Sequence, residues 1–184
     1  MEAMSDGDDL PSGLDDDAAR LAWLRQAYYG LDGRWYLKLR ERTDPTFAQE
    51  VDEAVTNSLG RLHVRAWREL TGVSRIDDCR TLGRFVRDVF DVLYDGHQHA
   101  FQVVSDTSDR FEMQHVSCAI FDMGAAAGYD AQPVPGQLPG CGGIRALVEG
   151  WAEEAGPFEV EQRPGVDDDG RLACRYLFTR SALG

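Results

Sequence analysis

The residues best suited to chemistry in this sequence are its cysteines, Cys79, Cys118, Cys141 and Cys174. No C-x-x-C pair occurs, so the common zinc-ribbon and thioredoxin signatures are absent. Cys118 ends an apolar strand-like run, and Cys141 stands in a Gly-rich G-C-G-G loop just before a helix. Cys174 alternates with Leu172, Tyr176 and Phe178 inside the last strand-like run. If those runs pair in one sheet, Cys118 and Cys174 meet over one face, and the loop brings Cys141 to them. Three thiolates joined by His115 or Asp122 would form a tetrahedral zinc site, structural if closed and catalytic if one position stays open. The plainer alternative is that the cysteines are small buried hydrophobes. His97 and His99 would point the same way on a strand and offer a chelate, although a turn-to-strand junction carries such residues without a ligand role.

The elements that must position these groups follow from periodicity. Residues 16–29 and 34–42 read as two short helices separated by Gly30 and Gly33, the second ended by Asp44-Pro45. Residues 46–70 place Phe47, Val51, Val55, Leu59, Leu62, Ala66 and Leu70 at helical spacing, which predicts a long helix buried on that stripe and closed by Gly72. A further helix fits 79–94. Alternation then predicts a hairpin from A-F-Q-V-V and F-E-M-Q-H-V, a short helix at 119–128, and a Pro/Gly-rich loop at 129–143 suited to a lid. A helix over I-R-A-L-V-E-G-W-A-E-E-A, with Ile144, Leu147, Val148 and Trp151 inward, and two last strands, F-E-V-E-Q-R and L-A-C-R-Y-L-F, complete the chain. The expected fold is α+β, with N-terminal helices packed on a four-stranded antiparallel sheet in the order ββ–α–α–ββ. Residues 1–17 are expected to be a disordered acidic tail. Residues 18–97 are a helical part that forms one compact domain with the three-cysteine part, 98–184.

Composition narrows the function. The 184 residues carry 32 acidic and 19 basic side chains, for a net charge of −13, and residues 1–17 hold seven carboxylates and no base. Such a surface excludes a general nucleic-acid binder, which needs basic charge against phosphate. No apolar run reaches the roughly 20 residues of a membrane helix, and the N-terminus lacks an apolar signal core. These features point to the cytoplasm, a reducing compartment and no structural disulfides. Asp167-Asp168-Asp169-Gly170 lacks EF-hand spacing and reads as a solvated turn. Arg34, Arg61, Arg65 and Arg68 could hold a carboxylate ligand, but surface ion pairs are the simpler reading.

The C-terminal half, about residues 98–180, resembles the bacterial L-2-amino-thiazoline-4-carboxylic acid hydrolases and a sister family of the same layout. The shared pattern is a strand ending in Cys (H-V-S-C, Cys118), a loop Cys before a helix (P-G-C-G-G, Cys141) and a last strand written C-R-Y-L-F (Cys174). G-R-W-Y-L-K-L-R-E-R and the helix after it are similar to the helical start of the sister family. The hydrolases tend to carry Cys-x-x-Asp at the loop cysteine, where this chain has Cys141-Gly-Gly-Ile144. A more distant likeness is to 4-vinyl-reductase-type sensor domains, which hold zinc by cysteines beside a ligand pocket. The resemblance implies a metabolic enzyme acting on a compact nitrogen- or sulfur-containing substrate. Cys141 would be a thiolate favoured by the helix N-terminus, Cys118 and Cys174 would lie beside it, and His115 would be the acid/base. His115 and Cys118 would share a face only across a β-bulge or a strand end. The second reading is a non-catalytic ligand-binding or sensor domain in which the same cysteines hold zinc. Either reading expects a small-molecule partner, no cofactor or zinc alone, and is compatible with a homodimer.

Overall fold

The computed structural model describes residues 17–93, 99–118, 141–169 and 173–181. Three helices come first: α1 (Asp17–Arg42), α2 (Pro45–Thr71) and α3 (Cys79–Leu93). Strands β1 (His99–Asp106) and β2 (Arg110–Cys118), helix α4 (Cys141–Ala155), and strands β3 (Phe158–Arg163) and β4 (Arg175–Arg180) follow. The strands form one antiparallel sheet in the order β1-β2-β4-β3. The expected α+β class and four-stranded sheet are present. The expected ββ–α–α–ββ order is not: among the described residues one helix, α4, stands between the two hairpins. The helix expected at 119–128 lies outside the described residues, as do residues 129–140 of the lid expected at 129–143 and the acidic tail up to residue 16; residues 141–143, expected as loop, are the first turn of α4.

The N-terminal elements also depart from expectation. The two short helices are one, because α1 runs through Gly30 and Gly33. A helical glycine costs only about 1 kcal/mol relative to alanine, which a 26-residue helix tolerates. Helix α2 has the expected bounds. The Asp44 carboxylate accepts from the amides of Thr46 and Phe47, Pro45 opens the helix, and Gly72 closes it with φ of 72°.

The buried side of α2 is not the expected one. Ala48, Asp52, Thr56, Gly60, Val64 and Trp67 are buried, whereas Phe47, Val55, Leu62 and Leu70 are exposed. The reason is a close crossing with α4. A Cβ on Gly60 would run into the Leu147 carbonyl, and one on Gly150 into the Asn57 carbonyl. Backbone meets backbone there, so small residues make the contact and a hydropathy period points to the wrong stripe.

Helices α3 and α4 bury Leu82, Phe85, Val86, Phe90, Leu147, Val148 and Trp151 against the inner face of the sheet. That face carries Phe111 and Met113 of β2 opposite Phe178 and Tyr176 of β4, with Phe158 and Val160 of β3 beside them. Asp78 caps α3 through the Thr81 amide at 2.7 Å. Cys79 is buried at the start of that helix, its sulfur 3.7 Å from the Phe178 carbonyl oxygen, and burial pushes its thiol pKa up. It is a core residue.

Candidate functional site

The inner face changes character toward one end. On β2 the alternation Phe111, Met113, His115 points inward, and His115 is 3% exposed. Beyond it the register shifts: Phe101 pairs with His115, but Ala100 pairs with Ser117 and His99 with Cys118. The irregularity leaves Val116 exposed and returns the strand to the inner face at Cys118. His99, Phe101, His115 and Cys118 therefore share one face, as the sequence reading required of any His115–Cys118 site. The His115 amide donates to the Cys174 carbonyl at 2.8 Å, which sets Cys174 beside His115 across the β2–β4 seam.

Two imidazoles and a phenol meet here among aromatic rings. The His115 ring centroid lies 5.4 Å from Tyr176, 5.5 Å from Phe90 and 6.3 Å from His99. His115 Nε2 is buried and has no hydrogen-bond partner among the described residues. Burial, and then the neighbouring His99, lower the His115 pKa to about 3; burial lowers that of His99 to about 4. Both rings are neutral at pH 7. The Tyr176 hydroxyl accepts from Gln162 Nε2 at 2.9 Å. Burial first, then Cys174, Cys118 and Cys141, hold the Tyr176 phenol well above its usual range. All three cysteines are thus within electrostatic reach of one phenol. A cleft of about 420 Å³ between α4 and the β3–β4 hairpin is lined by Arg145, Glu149, Gln162 and Tyr176 among others.

The expected thiol and metal chemistry is overturned by this arrangement. Among the described residues no group of three or more His, Cys, Asp or Glu is placed to hold a metal ion, so Cys118, Cys141, Cys174 and His115 are not a zinc centre. His115 Nε2 has no hydrogen-bond partner among the described residues, so no described thiol is held against it as a nucleophile–base pair. Burial raises the Cys174 pKa and keeps it a thiol. The positive end of α4, expected to favour a Cys141 thiolate, already faces carboxylates of α2. A Cβ on Gly143 would lie 2.7 Å from Asp52 Oδ2, and one on Gly142 would meet Glu53. The expectation of a cysteine-dependent hydrolase is therefore corrected.

Of the other candidates, Asp122 and His97 lie outside the described residues. Arg61 and Arg65 pair with Glu153 and Glu154, and Arg68 donates to the Ser74 carbonyl, so these three make surface contacts. The sequence reading missed Phe90, Gln162 and Arg145. For Gln162 a signal existed: it follows Phe158 and Val160 on the inward alternation of β3, where a polar side chain is unusual.

No family model matches the chain, and no curated protein matches it. The expected membership of the amino-thiazoline carboxylate hydrolases thus finds no matching family. Among solved structures the chain is similar to one described as probing the function of heme distortion in the H-NOX family. The TM-score is 0.46 and the identity 15%, over 90% of this chain and 72% of that one. No helix among the described residues is long and apolar enough to cross a membrane.

Proposed function

We propose that the chain is a non-catalytic domain that binds a compact, neutral small molecule at the polar end of the inner sheet face, with 18–97 and 98–184 acting as one cytoplasmic unit. The observation that carries this is His115 Nε2, a buried polar atom without a hydrogen-bond partner among the described residues. Leaving such a group unsatisfied costs about 1–3 kcal/mol, so a fold retains it where a ligand completes it. Neutral His115 and the Tyr176 hydroxyl, side by side, suit one ligand group that both donates and accepts. Phe90, Phe101 and the thiols of Cys118, Cys141 and Cys174 give soft walls to a flat or apolar body. Neither His99 nor His115 carries charge, so an anion gains no ion pair from them. The cleft at Arg145 and Gln162 supplies a route from solvent. A sensor role would require a partner chain to receive the signal.

The test is ligand-observed NMR with a library of neutral compounds, each bearing one polar group, on wild type and His115→Leu. Binders that compete for one site in wild type and lose at least tenfold in affinity in a folded His115→Leu support the proposal. A library without binders, or one whose binders ignore the substitution, would sink it.

A further inference from the structure

Gln162 breaks an apolar alternation. β3 turns Phe158, Val160 and Gln162 to the inner face, and Gln162 pairs directly with Tyr176 across the β3–β4 seam. The Gln162 amide is half-buried and lines the cleft beside α4. Tyr176 is the buried member of the pair, and its ring lies against that of His115. One hydrogen bond joins the two: Gln162 Nε2 donates to the Tyr176 oxygen at 2.9 Å.

That bond has a direction, and the direction has a consequence for the ligand. A phenol oxygen has one proton to give and lone pairs to accept with, and its O–H prefers the plane of the ring. Gln162 Nε2 takes one of the two in-plane positions as a donor, so the Tyr176 proton turns to the other. Burial keeps that proton on the oxygen, because it disfavours the phenolate. An amide turned the other way would present its carbonyl and take the proton itself. We propose that Gln162 is a specificity-determining positioning residue: by accepting nothing from Tyr176 and donating to it, Gln162 makes the hydroxyl a donor and selects ligands that present a carbonyl oxygen, such as ketones, amides and lactams. This rests on the ligand site proposed above and names the polar group that site prefers. A group that can only donate meets a proton there and leaves a buried donor unpaired, which is the strongest form of rejection a polar site offers.

Gln162→Glu at pH 8 tests it, since a carboxylate accepts and cannot donate. Tyr176 then gives its proton to residue 162 and offers a ligand only lone pairs. The probes are two matched pairs, acetophenone with 1-phenylethanol and cyclohexanone with cyclohexanol, titrated by ligand-observed NMR into wild type, Gln162→Glu and His115→Leu. Both ketones should bind wild type, and their dissociation constants should rise about tenfold or more in Gln162→Glu. The alcohols, which can donate to the reversed hydroxyl, should change less than about threefold. A second readout needs neither ligand nor the Glu variant. The tyrosine doublet in ultraviolet resonance Raman spectra reports whether a phenol accepts or donates, and the wild-type minus Tyr176→Phe difference should show the accepting pattern. Ketones and alcohols that move together in Gln162→Glu overturn the role of Gln162 and leave the ligand site standing, as do ketones that fail to bind where other neutral compounds bind in a His115-dependent way. A donating Raman pattern in wild type overturns it as well. A neutral library without any binder removes the ligand site, and this inference with it.

Discussion

The two ends of the inner sheet face are built from the same strands and covered by the same helices, yet they obey different rules. At one end Phe111, Met113 and Phe178 are buried in one apolar cluster with Phe85 and Leu82. At the other, His99, His115 and Tyr176 are equally buried but bring nitrogen and oxygen atoms into the interior. The first end needs only volume and shape. The second must satisfy hydrogen bonds, and His115 Nε2 finds no partner among the described residues. A core end explains itself by packing, whereas a buried polar end with open valence is explained by what it can hold.

The largest expected effect separates the ends by stability. Phe111→Ala removes a fully buried ring packed against Gly83 and Arg87, and should cost about 3–5 kcal/mol in urea unfolding. His115→Leu, at a site buried almost as deeply, should be neutral or stabilise by about 1 kcal/mol, because it removes an unsatisfied polar atom while filling similar volume. A loss of several kcal/mol in His115→Leu would erase the contrast and make His115 a structural residue.

A smaller effect is graded by pH. His63, His99 and His115 have folded pKa values of about 4, 4 and 3, lowered chiefly by burial. In the unfolded chain each titrates near 6.5. As pH falls below about 6.5 the unfolded state takes up protons that the folded state refuses, so stability falls toward pH 4 and is fully present above 6.5. The slope is about 1.4 kcal/mol per pH unit for each histidine. His115→Leu should flatten it by about a third between pH 6 and 4.5, whereas Phe111→Ala should leave it unchanged. Urea titrations at several pH values give both slopes. Equal slopes in wild type and His115→Leu would mean that His115 titrates alike in both states.

Part of the apolar end was legible in the sequence, because strand alternation reports burial directly: Phe178 falls on the inner face with Tyr176, as the last-strand pattern put it, and the helix expected at 79–94 is present as α3. The bounds of α2 were legible through Asp44 and Gly72, whose capping chemistry is local. Its buried face was not. At the Gly60–Gly150 crossing the core is backbone, and the apolar stripe that periodicity selects lies outside. The polar end was half legible. Alternation put Cys174 with Tyr176, and the reading set Cys118 over the same face and made a His115–Cys118 pair conditional on a bulge or strand end; that the register shift exists, and that it brings His99 in, is a property of the paired strands. The charge state of the site was illegible for the same reason: neutral histidines follow from depth of burial, a property of the assembled sheet and helices.

The finest test within the polar end is Tyr176→Phe. Tyr176 is 3% exposed, and the one hydrogen bond its hydroxyl makes among the described residues is accepted from Gln162 Nε2. Phenylalanine keeps the ring and its contact with His115, so the substitution removes one oxygen and little packing. Gln162 lines the open cleft and can turn its amide to water, so the stability cost should be about 1 kcal/mol or less. Ligand binding should respond more strongly. On the proposed function a ligand group held by both His115 and the Tyr176 hydroxyl would lose one of two bonds, which corresponds to about a tenfold weaker dissociation constant. Thermal unfolding and affinity for any neutral binder, measured on one preparation, separate the two roles. A drop in affinity without a drop in melting temperature marks the hydroxyl as a ligand contact. A matched loss of stability, with affinity unchanged, would make Tyr176 the same kind of residue as Phe178, its neighbour two positions along the strand.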